Sequence, residues 1–257
     1  MVGGFVLTTL AMGLIVARFT STEIRSAHND RAGFILAVIG VVYAVLLGFV
    51  AIGVWERFDA AQTRSYEEAA ELATVYRDAD SFAGGATVRS TLEAYARSVI
   101  EDEWPMMRRG SRIDQPNPLL ELADHQVRAL PVTSERLAGI QAETLSGMNV
   151  AIMDRQTRLT IDFIGINGIM WVVLVAGAYV TVAFTYFFGF ERTVMQQLMI
   201  GGLSITIGLV LFLTLALDYP FRGSIAVGPG AFQALLADWN ANAAAEPGAL
   251  QTPAPSK

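Results

Sequence analysis

The stretch from Phe34 to Asp80 constrains this chain more than any other. It opens as FILAVIGVVYAVLLGFVAIGVW and continues as ERFDAAQTRSYEEAAELATVYRDAD, with no proline and no turn cluster between. The apolar part is 22 residues long, enough at about 1.5 Å per residue to cross a hydrocarbon core about 30 Å thick. The charged part adds roughly another 35 Å of helix at the same rise. One uninterrupted helix is therefore expected to join a membrane span to an extramembrane domain, and the remaining segments must pack against its two halves.

Composition agrees. More than half of the 257 residues are apolar and the mean hydropathy is +0.43, too high for an ordinary soluble domain of this size. Residues 55–163 hold 18 of the 24 acids and 12 of the 17 arginines, so the whole net charge of −6 sits there. No basic stripe is present to neutralise phosphates, which argues against a nucleic-acid partner. The absence of cysteine excludes disulfides, zinc–thiolate sites and thiol catalysis.

In chain order, residues 1–17 are a short first span. A signal peptide is the competing reading, weakened by the missing basic segment and by the lack of a small-x-small site before Arg18. Residues 18–31 connect it to the second span, 32–55, with Asn29 or Asp30 as N-cap. Residues 56–163 contain no run long enough to cross a membrane and no persistent alternation, so an all-helical extramembrane domain is expected. Its helices run to the Gly84–Gly85 break, from Thr87 to Trp104 with Pro105 as terminator, over Leu119–Leu130, and from near Thr133 or Ser134 toward Phe163. A third span over 164–188, a short turn over 189–197 and a fourth span over 198–217 follow as an antiparallel hairpin. Residues 218–239 form a membrane-exit turn and short helix, and 240–257 an Ala/Pro-rich disordered tail. The fold class is all-α, a four-span membrane protein whose extramembrane domain is continuous with the second and third spans.

Small residues at helical spacing mark expected packing stripes: Gly40, Ala44 and Gly48; Gly177 and Thr181; Gly201, Ser204 and Gly208. The opposite face of the second span carries Val42, Leu46, Phe49 and Gly53, left for lipid or for a pore, with lipid the default. Near the membrane, Arg57, Arg64, Arg155, Arg158 and Arg222 lie on one side and Arg18, Arg25, Arg31 and Arg192 on the other. That narrow excess favours a cytoplasmic 56–163 domain in a cell inner (plasma) membrane.

The chemistry-bearing residues are few. Glu101, Asp102 and Glu103 point about 100° apart on a helix, so they cannot clamp one metal and read as a solvated helix end. Trp104 beside them is expected to pack into the domain. His28 and His125 have no companion at metal spacing. No nucleophile elbow and no phosphate loop occurs, so neither an enzyme nor a cofactor or metal site is expected. Arg155 and Arg158 share a helix face before the third span. They can meet lipid headgroups, neutralise acids of the first extramembrane helix, or draw anions toward a pore, and acid pairing is favoured. Asp218 and Pro220 read as a solvated membrane-exit turn.

Taken in order, HNDRAGFILAVIGVVYAVLLGFVAIGVWERFDAA, YEEAAELATVYRDA, YARSVIEDEW, DRQTRL and LALDYPFRG resemble the bestrophin-like domain family over roughly residues 23–235. The residues that carry the resemblance are Glu103 and Trp104, the spaced pair Arg155 and Arg158, and Asp218, Pro220, Phe221 and Gly223. The resemblance implies a relation to bestrophins, pentameric anion channels whose long second helix lines a hydrophobic neck. It therefore implies a lipid-embedded homo-oligomer, a pentamer by analogy, passing chloride or other small anions, with Val42, Leu46, Phe49 and Gly53 as pore-lining candidates. The acidic calcium-clasp run of animal bestrophins is absent after Pro220-Phe221. A non-conducting membrane scaffold or sensor, whose helical domain binds a partner, is the alternative reading.

Overall fold

In the computed structural model, residues 2–19, 29–186 and 193–245 are described. All regular structure among them is helical. The elements are α1 (Val2–Phe19), α2 (Asn29–Ala79), α3 (Gly85–Ser98), a π-helical turn (Val99–Glu103), α4 (Trp104–Arg108), α5 (Pro118–Arg128), α6 (Glu135–Phe163), α7 (Gly168–Thr185), α8 (Thr193–Asp218) and α9 (Gly230–Ala245). The chain divides into two units. One comprises Met1–Phe58 with Gly165–Asp218, the other Asp59–Ile164 with Tyr219–Lys257. Helix α2 contributes its first part to one and its remainder to the other.

Among the described residues, three helices are long and apolar enough to cross a membrane: Gly33–Ala79, Gly168–Thr185 and Val194–Asp218. The described apolar part of α1, Val2–Gly13, is shorter. Tyr43 and Leu47 of α2 pack with Leu174, Ala178 and Val182 of α7 and with Ile200, Ile207 and Leu211 of α8. Apolar burial between helices gains little once lipid surrounds them, so close approach and polar bonds must supply the specificity. A Cβ on Gly177 would lie 2.6 Å from the Tyr43 ring, and the Tyr43 hydroxyl donates to the Leu174 carbonyl at 3.1 Å. The hydroxyls of Thr9 and Ser204 meet at 3.0 Å, Thr8 meets the Tyr179 hydroxyl at 2.9 Å, and Tyr186 donates to the Thr9 carbonyl. These bonds join α1 to α7 and α8.

The packing stripes are used unevenly within the chain. Gly177 admits Tyr43 and Gly208 admits Val2 and Phe5, while Thr181 and Ser204 are buried. Gly40, Gly48 and Gly201 have open space where a side chain would go, and Ala44 is exposed. On α2 the larger Tyr43 and Leu47 make the intrachain contact instead, because Gly177 on α7 already provides the recess.

In the second unit, α2 ends at Ala79, and α3 starts on Gly84, whose φ of +93° favours a residue without a Cβ. A Cβ on Gly85 would fall 1.8 Å from the Ala79 carbonyl oxygen. Helix α5 starts on Asn117, which accepts from Leu119 N at 3.0 Å, with Pro118 in the first turn. Helix α6 starts on Ser134, which accepts from Leu137 N.

Four expectations are corrected here. The chain does not stop being helical at Pro105: the π turn precedes it, so Pro105 falls in a first turn where an N–H is dispensable, and the helix ends at Arg108 before Gly110, φ +72°. The helix of the third span starts at Gly168 rather than 164, because Asn167 caps it by accepting from Ile169 N. Helix α8 starts at Thr193, inside the stretch expected as a turn over 189–197, of which 189–192 lie outside the described residues. Helix α9 runs to Ala245, so 240–245 are helical rather than disordered; Ala241 and Ala243 to Ala245 are strong helix formers, and Trp239 anchors the helix by stacking on Tyr76 at 4.3 Å. Residues 246–257, and His28 with residues 20–27 of the first connection, lie outside the described residues.

Candidate functional site

The apolar face of α2 comes first. Val42 and Phe49 are 65% and 72% exposed, Gly53 is exposed and Leu46 half-buried. No described residue of the chain covers the Val42/Phe49 side. An apolar ribbon of this kind marks a surface that meets lipid or another protein surface.

The end of α8 carries a different kind of site. Asp218 was expected to be solvated; it is 1% exposed. Its carboxylate accepts from Ile166 N at 2.7 Å and from Trp171 Nε1 at 3.3 Å, and lies 3.5 Å from Arg57 Nη1. A buried carboxylate is tolerated when its lone pairs are filled and a counter-charge is close. Asp218 satisfies a free backbone N–H just before α7 and neutralises Arg57, so Arg57 is not a bare cation offered to an anion.

The second unit buries a network of four charges. Arg158 of α6 is fully buried and donates through Nε to Glu68 Oε2 at 2.8 Å and through Nη2 to Glu103 Oε2 at 2.9 Å. Arg155, one turn earlier, donates through Nε and Nη2 to Glu103 Oε1 at 3.0 and 2.8 Å. Asn117 Nδ2 donates to the same oxygen at 3.0 Å, and the Tyr95 hydroxyl donates to Glu68. The guanidinium of Arg158 lies 4.9 Å from the Trp104 ring centroid and 5.7 Å from that of Phe232. Trp104 Nε1 donates to the Val227 carbonyl at 3.1 Å, and its ring meets Phe221 edge-on. Pro220 is buried, its carbonyl accepts from Val227 N at 2.8 Å, and Gly223 turns the chain with φ +85°.

Two sequence expectations change here. Glu103 is not part of a solvated helix end; it is 5% exposed, while Glu101 and Asp102 face out. The reason is the π turn, in which Trp104 N–H bonds to Val99 O, five residues back. The extra residue rotates the register so that Glu103 and Trp104 both point inward. Glu68 was not singled out at all, although it lies on the buried stripe Ala61, Ser65, Glu68, Leu72, Val75, Ala79. A charged residue in line with that helical stripe was the available signal. The Arg pair neutralises acids, as favoured, and one of those acids is on the first extramembrane helix.

The electrostatics follow from burial and pairing. Burial pushes the Glu103 carboxyl up, but Arg158, Arg155 and the Asn117 amide outweigh it and hold it below the usual value of 4.5. Burial likewise pulls Arg158 down, yet Glu68 and Glu103 hold it well above its ordinary range. Burial and the neighbouring Glu68 raise Tyr95, so it stays a donor. A depressed carboxyl contributes stability that is full above its unfolded value and is lost as pH falls through the folded one. Thermal melting of the purified protein is therefore expected to fall below about pH 4.5, and Glu103→Gln should flatten that fall. Asp162, raised by burial, has the opposite sign, so the difference between wild type and Glu103→Gln is the quantity to measure. An unchanged acid slope in Glu103→Gln would remove Glu103 as its source.

Helices long and apolar enough to cross a membrane in one unit, and a polar network buried in a second, all-helical unit, define a polytopic helical membrane protein. The bestrophin-like domain model matches residues 3–232, and the chain belongs to that bestrophin-like family. A mutant crystal structure of a bacterial bestrophin homologue from Klebsiella pneumoniae is 17% identical, with a TM-score of 0.68 over 93% of this chain and 98% of that one. A second mutant of the Klebsiella pneumoniae homologue is 15% identical, with the same TM-score and coverage. A mutant membrane protein matches with a TM-score of 0.64 at 17% identity, over 94% of this chain and 97% of that one. At these identities the likeness is one of fold. No curated protein matches the chain.

Proposed function

We propose that the chain is a four-span subunit of a homo-oligomeric, passive anion channel in the inner (plasma) membrane, with residues 56–163 on the cytoplasmic side. The carrying observation is the uncovered apolar face of α2, Val42 and Phe49 above all, in a chain of the bestrophin-like family. In this reading copies of the chain, five by analogy with bestrophins, surround an axis. Phe49 narrows it, with Leu46 and Gly53 about a turn to either side. An apolar constriction opposes ions by dewetting, since its side chains cannot replace lost hydration water. Small anions such as chloride pass when it widens. Helix α1 serves as the first span, and Asp218 ties the start of α7 to Arg57 at the end of the second.

The test is chloride flux from liposomes. Wild-type protein is expected to pass chloride above empty vesicles, and Phe49→Ala to raise the flux with an unchanged melting curve. No flux from either folded protein would overturn the channel and favour a scaffold or sensor whose helical domain binds a partner.

A further inference from the structure

Arg108, Arg109 and Arg112 crowd the turn after α4, and all three are exposed. Arg112 is paired with Asp114. Among the described residues, Arg108 and Arg109 have no acid within ion-pair distance. Glu101 and Asp102, the acids that precede them, lie six to eight residues back, about two helical turns. Arg222 approaches the same turn: a Cβ on Gly110 would lie 2.8 Å from its Nη1 and 2.9 Å from its Cζ. Its own counter-charge is Asp162, 3.5 Å from Nε. Four guanidiniums thus gather with two carboxylates in reach, and Arg108 and Arg109 are the excess.

The turn is fixed to both places where this unit's chain continues into α7 and out of α8. The Arg112 guanidinium lies 4.9 Å from the ring centroid of Phe163, the last residue of α6, and four residues separate Phe163 from Gly168, where α7 starts. Arg222 Nη2 donates to the Asp162 carbonyl at 3.1 Å, and Arg222 itself is four residues past Asp218, where α8 ends. The headgroup layer of a bilayer extends about 5–8 Å beyond the hydrocarbon, a distance that about two or three residues of extended chain cover. Phe163 and its neighbour Ile164 are 48% and 57% exposed. Apolar side chains next to cations suit that layer, with the apolar part toward the acyl chains and the charge toward the phosphates.

We propose that the 108–112 turn binds the headgroup of an anionic phospholipid, with Arg108 and Arg109 on its phosphate and Phe163 and Ile164 against its acyl chains. A zwitterionic lipid brings its own ammonium to the phosphate and gains little from two arginines. An anionic headgroup supplies the negative charge they lack. The site is built from residues of the second unit alone; it rests on α7 and α8 crossing a bilayer, not on ion conduction.

The probe is phosphatidylglycerol, titrated into the full-length protein in nonionic detergent with bound lipid counted by native mass spectrometry, against phosphatidylcholine of the same chains. Phosphatidylglycerol is expected to bind at least about 10-fold more tightly, two arginines at about 5-fold each setting the scale. Arg108→Gln with Arg109→Gln should remove that preference and leave phosphatidylcholine binding and the melting curve unchanged. Arg97 and Arg136 are exposed as well, and Arg136 lies about 40 Å along α6 from Phe163. Arg97→Gln with Arg136→Gln therefore removes the same charge and should keep the preference. The assignment is overturned if the two lipids bind wild type alike, if the Arg108/Arg109 variant keeps the preference or if the control pair loses it. It is also overturned if equimolar inorganic phosphate displaces the lipid, which would make this a free-phosphate site. Liposome flux is a separate readout, so failure here leaves the channel reading standing, and the reverse.

Discussion

Replacing Arg158 with methionine should cost the second unit about 3–5 kcal/mol, enough to unfold or severely loosen it. Arg158 is fully buried and is, among the described residues, the sole partner of Glu68 within ion-pair distance, and it shares Glu103 with Arg155. Methionine fills much of the volume and can lie against Trp104 and Phe232, so a packing defect is a minor part of the loss. The dominant cost is two carboxylates left in a buried site with less counter-charge than they need. The double variant Arg158→Met with Glu68→Gln should recover part of it, because the orphaned charge is then gone while Tyr95 can still bond the amide. The check is denaturant or thermal unfolding followed by helical circular dichroism, with all four corners of the cycle measured. If Arg158→Met melts like wild type, or if Glu68→Gln restores nothing, the network does not hold this unit together.

The second large effect is expected at Ala60→Pro. Ala60 lies in the interior of α2, which runs as one helix from Asn29 to Ala79. Proline there removes the N–H that bonds to the carbonyl of Glu56 and drives its ring into the preceding turn, at about 3 kcal/mol or more. The position is beside buried Ala61 and four residues past Glu56, so a kink would misdirect the stripe that carries Ser65 and Glu68 to their partners. Ala60→Ser is the control, expected to stay within about 1 kcal/mol since serine is only modestly poorer in a helix. Melting temperature and helical circular dichroism read both. A proline variant as stable as the serine one would show that the helix bears no strain at this point.

Much was legible in the chain itself because it depends on local physics. A 22-residue apolar run followed by a charged run without a breaker has one satisfactory backbone solution, since only a helix meets its own hydrogen-bonding needs inside lipid. The helix start near Ser134 and the break at Gly84-Gly85 are local signals too. So is the Arg155/Arg158 spacing, which put two cations on one face and made acid partners the favoured reading. Trp104 was expected inside because a large indole gains most from burial.

Tertiary structure decided what depends on register and on distance along the chain. Glu103 is separated from Arg158 by 55 residues, and a regular helix would have turned it elsewhere; the one-residue π insertion brings it inward with Trp104. Glu68 meets its arginine across 90 residues, so only the packed unit shows why a carboxylate sits on an apolar stripe. The stripes of small residues behaved likewise. Gly177 is a recess because Tyr43 fills it, whereas Gly40 and Gly48, equally small, face nothing in their own chain. Asp218 looked like a solvated helix end because the sequence cannot show that Ile166 N, Trp171 and Arg57 converge on it. Helix periodicity is a property of neighbours in sequence, and the sequence determined the helices; partner choice is a property of neighbours in space, and only the packed chain decided the sites.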